Sequence, residues 1–124
     1  MDLICREKVQ TYLETFIDTP IYLHLETTNG AYASHVDESF FSASAYIRNA
    51  HITYSHGKIT GTGPYRVGLK LDIGWVYGEG LTHYEIDQHN RLLLAGLDHS
   101  GKLAIAFQLS PTPFPTSCER RITP

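Results

Sequence analysis

Residues 61 to 70 read GTGPYRVGLK, in which two glycines and an arginine could form the loop of an anion-binding site. A phosphate-binding loop of the Walker type ends in lysine and a hydroxyl residue and leads into a helix, whose N-terminus supplies amide donors. This stretch has no such pair, and the alternation of a strand follows it. The glycines permit positive φ and Pro64 has a fixed φ, which favours a hairpin corner. Arg66 lies opposite in parity to Tyr65 and Val67, so an arginine that faces an anion is the alternative interpretation.

His24 and Glu26 form a second candidate, because alternate residues of a strand point to the same side. Such a pair could share a proton or bind a metal ion. A metal site needs a third ligand, and no HxxxH, HxH or HExxH spacing supplies one from the nearby sequence. The favoured alternative is a polar pair that faces solvent or is satisfied by tyrosine hydroxyls.

Trp75, Tyr77 and Glu79 share a parity in the stretch GWVYGEG. Two aromatic rings and a carboxylate that project together resemble the lining of a pocket for a sugar or another small molecule. Packing in a β wall, with the glycines at bends, is the favoured interpretation of the same pattern. The complete candidate set for ligand binding is Tyr22, His24, Glu26, Arg66, Trp75, Tyr77 and Glu79.

The sequence contains no recognisable catalytic constellation. The GxSxG pattern of serine hydrolases is missing, and Ser100 lies in a DHSG turn. Cys5 lies in a predicted helix and Cys118 in the tail, neither in an evidently electropositive environment that would activate a thiol. Their spacing favours two free thiols over a disulfide between the termini. We therefore expect no catalytic residue, no cofactor and no metal ion, and the sequence disfavours an enzyme without excluding one.

Length and charge limit the class of protein. The 124 residues, of which 42% are hydrophobic and 19% charged, are typical of one globular domain. The net charge is −3 and the Lys and Arg residues are scattered, which argues against nucleic acid or an anionic membrane as a partner. The first residues mix acid and base without a long apolar run, so neither a signal peptide nor a membrane span is predicted. We expect a cytoplasmic protein.

The candidate residues lie on strands that follow a single helix. Apolar residues recur at spacings of three and four in residues 2–18, which predicts a helix with Asp2 as its N-cap and with Pro20 beyond its end. In SASAYIRNAHITYSH the parity changes near Asn49, which predicts a β-bulge or a bend. Other predicted strands are PIYLHLETT, AYASHVD after an Asn29-Gly30 turn, KIT, YRVGLKL, GWVYGEGLTHYEID, RLLLAGL and KLAIAFQLS.

These patterns predict a mainly β fold, an antiparallel meander that forms a closed or partly open barrel, with one N-terminal α-helix. No helical pattern follows a strand, which disfavours a parallel sheet. Residues 1–110 are predicted to form the single β-barrel-like domain. Residues 111–124 are predicted to form an extended tail, because their prolines exclude a helix or a central strand.

The strings IYLHLETTNGAY, AYIRNA, GTGPYRVGLK, GWVYGEGLTHYE, NRLLLAG and GKLAIAFQLS occur in this order. With them the chain closely resembles the YojF family of small uncharacterised proteins from Bacillus and relatives, from the first helix to about Ser110. The resemblance implies a mainly β, barrel-like domain with an N-terminal helix, and it implies no activity and no catalytic residues. Genes of this family tend to lie beside a gene for a deacetylase that looks like an enzyme of bacillithiol synthesis.

Two functional hypotheses follow. The first is a non-catalytic accessory or binding protein of low-molecular-weight thiol metabolism, which acts with a bacillithiol-type deacetylase and forms a homodimer. The resemblance and the lack of a catalytic constellation motivate it. The second is a protein or enzyme that binds a sugar or an anion through the candidate set, and it requires these side chains to converge on one concave site.

Overall fold

The chain forms β-strands and a helix near its N-terminus in the computed structural model, which describes residues 1–28 and 43–115. These ranges hold one helix, α1 (Arg6–Thr15), and nine strands. The strands are β1 (Asp2–Leu3), β2 (Ile21–Thr28), β3 (Ala43–Ile52), β4 (His56–Thr60), β5 (Tyr65–Lys70), β6 (Trp75–Leu81), β7 (His83–Ile86), β8 (Leu92–Leu97) and β9 (Leu103–Ser110). The prediction of a mainly β fold with one N-terminal helix is confirmed. The predicted AYASHVD strand, the Asn29-Gly30 turn and residues 116–124 with Cys118 lie outside the described residues.

The described strands form two antiparallel sheets rather than one closed barrel. Six strands pair in the order β1-β7-β8-β9-β2-β3, and three pair in the order β4-β5-β6. The chain passes from one sheet to the other at Thr82, whose amide donates to the carbonyl of Ala95 at 2.9 Å. The prediction is an antiparallel meander in a closed or partly open barrel; the antiparallel strands are confirmed, and among the described residues they form two sheets without a closed barrel. Residue alternation identifies strands, but it does not determine whether the two edge strands of a sheet pair and close a barrel.

The core lies between the two sheets, because each strand directs alternate apolar residues to one side. The buried side chains of the six-stranded sheet include Ile21, Leu23, Leu92, Leu94, Phe107 and Leu109. Those of the three-stranded sheet include Ile59, Val67, Leu69 and Leu81. The sheets approach closely at Gly78, where an added Cβ would overlap the ring of Phe107. The side chains on the inner faces therefore form the core, and the outer face of each sheet lies outside it.

Helix α1 packs against this core with three buried side chains, Val9, Tyr12 and Leu13. It begins after Cys5 as N-cap and not after Asp2, because Asp2 and Leu3 pair with β7 instead. The predicted N-cap is therefore wrong, and the helix is shorter than predicted. Within the described ranges no helix is long and apolar enough to cross a membrane.

Side chains of α1 also cover the free edge of β4. The Gln10 side-chain amide donates to the Gly57 carbonyl at 3.0 Å and accepts from the Ile59 amide at 3.0 Å. Arg6 Nη1 donates to the Gly61 carbonyl at 3.0 Å. Gln10 therefore occupies the position of a neighbouring strand, and it satisfies backbone groups that would otherwise be open to strand pairing.

Asn49 interrupts β3 where the parity changes. Its φ is 59°, and the pairing of β3 with β2 shifts by one residue between Leu23–Ala50 and His24–Arg48. The predicted β-bulge near Asn49 is confirmed. Because of the bulge, the Asn49 side chain is available to bind a segment that follows β9.

Candidate ligand-binding site

The outer face of the three-stranded sheet collects basic and aromatic side chains. Its strands direct Ile59, Val67 and Leu69 into the core, so the residues between them point outward. Register places Lys58 opposite Gly68 and Gly68 opposite Tyr77. We use the name basic-aromatic face for six of its side chains, namely Lys58, Arg66, Lys70, Trp75, Tyr77 and Glu79.

Four of these side chains form a row of stacked groups. The rings of Trp75 and Tyr77 are nearly parallel, at 9° with centroids 5.6 Å apart. Arg66 Cζ lies 4.7 Å from the centroid of Tyr77, and Lys70 Nζ lies 5.3 Å from that of Trp75. Each cation lies within the distance at which it is attracted to the negative face of a ring. Even so, Trp75 and Tyr77 are 52% and 46% exposed, so a large part of both rings remains in contact with solvent.

Arg66 and Glu79 form an ion pair on this face, with Nε 3.3 Å from Oε1. Their side chains are 51% and 66% exposed, and an exposed pair of this kind contributes little stability. Arg66 therefore points outward, as its parity predicts, and Glu79 is its partner. The pair positions the guanidinium without removing it from solvent.

An open groove of about 440 Å³ runs along the face. It is lined by His56, Lys58, Thr60, Arg66, Gly68, Lys70, Trp75 and Tyr77. Gly68 provides its floor: a Cβ there would lie 2.8 Å from Tyr77 Cε1, so only glycine leaves the ring in this position. Among the described residues, Lys58 and Lys70 take part in no ion pair. The groove volume is within the range of small-molecule sites.

The arrangement offers groups that can bind an anion and an apolar ring. Ammonium and guanidinium groups attract an anion and donate hydrogen bonds to it. The exposed parts of Trp75 and Tyr77 offer apolar surface for a sugar or a ring. Thr60 and His56 also line the groove, and Ser55 Oγ lies 3.1 Å from Nδ1 of His56.

The other three candidate residues lie on the outer face of the six-stranded sheet. Tyr22, His24 and Glu26 pair with Ser110, Gln108 and Ala106 of β9, which alternate with the core residues Leu109, Phe107 and Ile105. The two outer faces are separated by the core, so the seven candidates do not converge on one concave site. The structure brings together Arg66, Trp75, Tyr77 and Glu79, and separates them from Tyr22, His24 and Glu26.

His24 and Glu26 do form a pair, with Nε2 3.3 Å from Oε1. His24 is only 4% exposed, and its ring lies edge-on to that of Tyr46 with centroids 5.3 Å apart. Tyr22 stacks on His51 with centroids 4.4 Å apart. In the described part of the chain, no group of three or more His, Cys, Asp or Glu residues could hold a metal ion.

Residues 111–115 turn back over this second face. The amide of Phe114 donates to Asn49 Oδ1 at 2.7 Å, and Asn49 Nδ2 donates to the Phe114 carbonyl at 3.0 Å. The Phe114 ring is 4% exposed and lies 4.9 Å from Arg48 Cζ and 5.5 Å from Arg91 Cζ. The start of the predicted tail is therefore attached to the sheet, and Phe114 covers part of the surface around His24.

Sequence reasoning missed His56, Lys58, Thr60, Gly68 and Lys70 in the groove lining. The alternation in HGKIT and YRVGLK places these residues opposite the apolar ones, so the parity was a usable signal. Knowing that β4, β5 and β6 are neighbours required the register, which single-strand patterns do not contain.

The sequence and the fold of the chain were compared with those of known proteins. The model of the family described as "Protein of unknown function (DUF1806)" matches residues 3–114. The uncharacterized protein YojF of Bacillus subtilis (strain 168) is 54% identical over 114 residues, which are 92% of this chain and 98% of that protein. The crystal structure of Bacillus subtilis YojF protein matches with a TM-score of 0.79 and 50% identity, over 93% of this chain and 97% of that one.

Proposed function

We propose that this chain, which belongs to the DUF1806 family of proteins of unknown function, binds an anionic small molecule with a sugar or another ring as its apolar part. The observation that carries the proposal is the basic-aromatic face, where two half-exposed aromatic rings lie beside three cationic side chains over one groove. The cations would bind the anionic group, and the rings would contact the remainder of the ligand.

Exposure supports a ligand as the reason for this face. Trp75 and Tyr77 are large enough to contribute substantially to a core, yet about half of each is in solvent. Clusters of exposed aromatic residues beside charged groups are typical of binding sites. The net charge of −3 works against a long polyanion as ligand, and the groove volume suits one small molecule.

The single tryptophan of the chain gives a direct test, because Trp75 lies in the groove. Its fluorescence is recorded during titration with glucose 6-phosphate, with glucose and with inorganic phosphate, and thermal shifts are measured in parallel. We expect glucose 6-phosphate to change the emission at a lower concentration than either fragment, and to raise the melting temperature by binding only the folded state.

Two variants distinguish binding at the groove from general charge attraction. Lys58→Gln removes a groove cation, whereas Lys8→Gln removes an exposed cation of α1. Lys58→Gln should weaken binding, and Lys8→Gln should leave it unchanged. Equal effects of the two variants, or no response of wild type to any anion of the panel at millimolar concentrations, would reject the proposal.

The role beside a bacillithiol-type deacetylase remains a separate hypothesis. Its support is the gene neighbourhood of the YojF family, together with the chemistry of the groove, since sugar-thiol conjugates that carry carboxylates belong to the proposed ligand class. Co-purification of the deacetylase with a tagged copy tests it, and gel filtration tests the homodimer that it includes. If the tagged copy never retains the enzyme and the rate of the enzyme is indifferent to its presence, the accessory role is lost.

A further inference from the structure

Gly68 lies at the centre of three cationic side chains. Arg66 and Lys70 are two residues away on the same strand and the same face, and Lys58 is directly opposite on β4. Residues two apart on a strand are about 6.6 Å apart, and neighbouring strands are about 4.8 Å apart. Because Gly68 has no side chain, the Tyr77 ring lies directly against it, and the space for an anion is the groove beside this ring, which Lys58, Arg66 and Lys70 line.

Charge indicates what kind of anion fits this space. The groove lining carries Lys58, Arg66 and Lys70, and Glu79 beside it is the only carboxylate paired with any of them in the described residues. Three positive charges and one negative charge leave two positive charges. A phosphate monoester or a dicarboxylate matches this excess better than a monoanion does.

Glu79 is placed beside Arg66 by a local irregularity of β6. Pairing between β5 and β6 joins Tyr65 to Leu81 and Val67 to Gly78, so Arg66 faces two residues, Glu79 and Gly80. This is a β-bulge, and a bulge changes the direction of a side chain. The guanidinium of Arg66 is also held over the ring of Tyr77, so its position does not depend on Glu79 alone.

From these contacts we infer that Glu79 is an internal competitor for the ligand. Its carboxylate is paired with Arg66 in the unliganded protein, and a doubly charged anion bound in the groove replaces it. The competition lowers the affinity of the groove, because every anion that uses Arg66 must first displace Glu79. This inference rests on the proposed function and identifies the residue that regulates the same groove.

The test measures dissociation constants for glucose 6-phosphate and for gluconate by Trp75 fluorescence, at about pH 8, above the second phosphate pKa of about 6. Glu79→Gln should bind glucose 6-phosphate roughly two- to fivefold more tightly, the factor expected when an exposed ion pair is no longer in competition. Gluconate should gain by about the same factor, because the pair between Arg66 and Glu79 opposes every anion that uses Arg66. Arg66→Gln should weaken the binding of glucose 6-phosphate about tenfold.

Glu85→Gln is the matched control, since Glu85 is an exposed carboxylate on β7 in the other sheet. It changes the net charge by the same amount and should leave both constants unchanged. The double variant Arg66→Gln/Glu79→Gln should bind like Arg66→Gln alone, because Glu79 acts through Arg66.

Each result decides the inference about Glu79, the proposed function, or both. If wild type binds glucose 6-phosphate but Glu79→Gln binds no more tightly than Glu85→Gln, the inference is overturned and the proposed function stands. If Glu79→Gln tightens binding equally with and without Arg66, the carboxylate acts at long range and the competition is rejected. If neither wild type nor Glu79→Gln binds either anion, the proposed function and the inference fail together.

Discussion

At the scale of single residues, Gly96 and Gly68 both lack room for a Cβ, for different reasons. A Cβ added to Gly96 would overlap the carbonyl oxygen of Gly80, a backbone atom at the point where β6 crosses β8. A Cβ added to Gly68 would lie 2.8 Å from Cε1 of Tyr77, the end of a half-exposed side chain. Backbone held between two sheets cannot move away, whereas an exposed ring can rotate.

We predict opposite consequences for alanine at the two positions. Gly96→Ala should lower the free energy of unfolding by about 1–3 kcal/mol, as overpacking does. Gly68→Ala should change it by no more than about 0.5 kcal/mol, as surface substitutions do. Urea unfolding followed by circular dichroism measures both values. Gly68→Ala should also weaken anion binding, since the methyl group displaces Tyr77 and fills the floor of the groove. An equal loss of stability in the two variants would contradict this account.

Parity explains why half of the site was predictable from the sequence. Arg66, Trp75, Tyr77 and Glu79 lie on the more exposed side of β5 and β6, and this alternation is a local property. Lys58 is different, because its contribution depends on β4 lying beside β5. Tyr22, His24 and Glu26 obey the same alternation, yet they face away on the other sheet. The packing of the whole core decides which faces of the two sheets meet. The residue pattern within one strand therefore does not predict it.

At the scale of elements, one polar side chain of α1 forms hydrogen bonds with the backbone of β4. Gln10 gives and receives one hydrogen bond with the backbone of β4, at Gly57 and Ile59. The alternating pattern of β4 predicted a strand, but an edge strand covered by a glutamine has no signature in the sequence. The helix therefore both packs on the core and completes the hydrogen bonding of the sheet.

We predict that Gln10→Ala destabilises the protein by about 1–3 kcal/mol, since two hydrogen bonds of about 0.5–1.5 kcal/mol each are lost. Hydrogen exchange at the Ile59 amide should accelerate at the same time, because this donor loses its acceptor. Lys8→Ala on the exposed side of α1 is the control and should retain wild-type stability. Unchanged exchange at Ile59 in Gln10→Ala would show that the strand edge is protected in another way.

At the scale of the whole molecule, the two outer faces have different surroundings. Phe114 and its hydrogen bonds to Asn49 cover part of the six-stranded sheet around His24. The basic-aromatic face of the three-stranded sheet stays open over its groove among the described residues. This difference is the reason to place ligand binding on the three-stranded sheet, although both faces carry aromatic and charged side chains.

Two buried tyrosines connect α1 to the rest of the molecule. The Tyr12 hydroxyl donates to the Asn90 carbonyl at 2.7 Å, and the Tyr54 hydroxyl donates to the Leu13 carbonyl at 2.7 Å. Burial raises the pKa of both hydroxyls well above the ordinary value of 10.0, because a phenolate in the core would lose its hydration. The folded protein therefore retains two protons that the unfolded chain releases near pH 10.

This retention predicts how stability changes in base. The pKa values of both hydroxyls are raised in the folded state. The stabilisation that these two tyrosines give is therefore fully present below pH 10.0, and it is lost as the pH rises above that value. Each tyrosine should lower the free energy of unfolding by up to about 1.4 kcal/mol per pH unit there. Melting temperatures and tyrosinate absorbance, followed together across this range, measure the loss. Tyr54→Phe should give a shallower decline than wild type. Identical slopes in wild type and Tyr54→Phe would mean that Tyr54 ionises in the folded protein, and the unfolding of this core in base would need another cause.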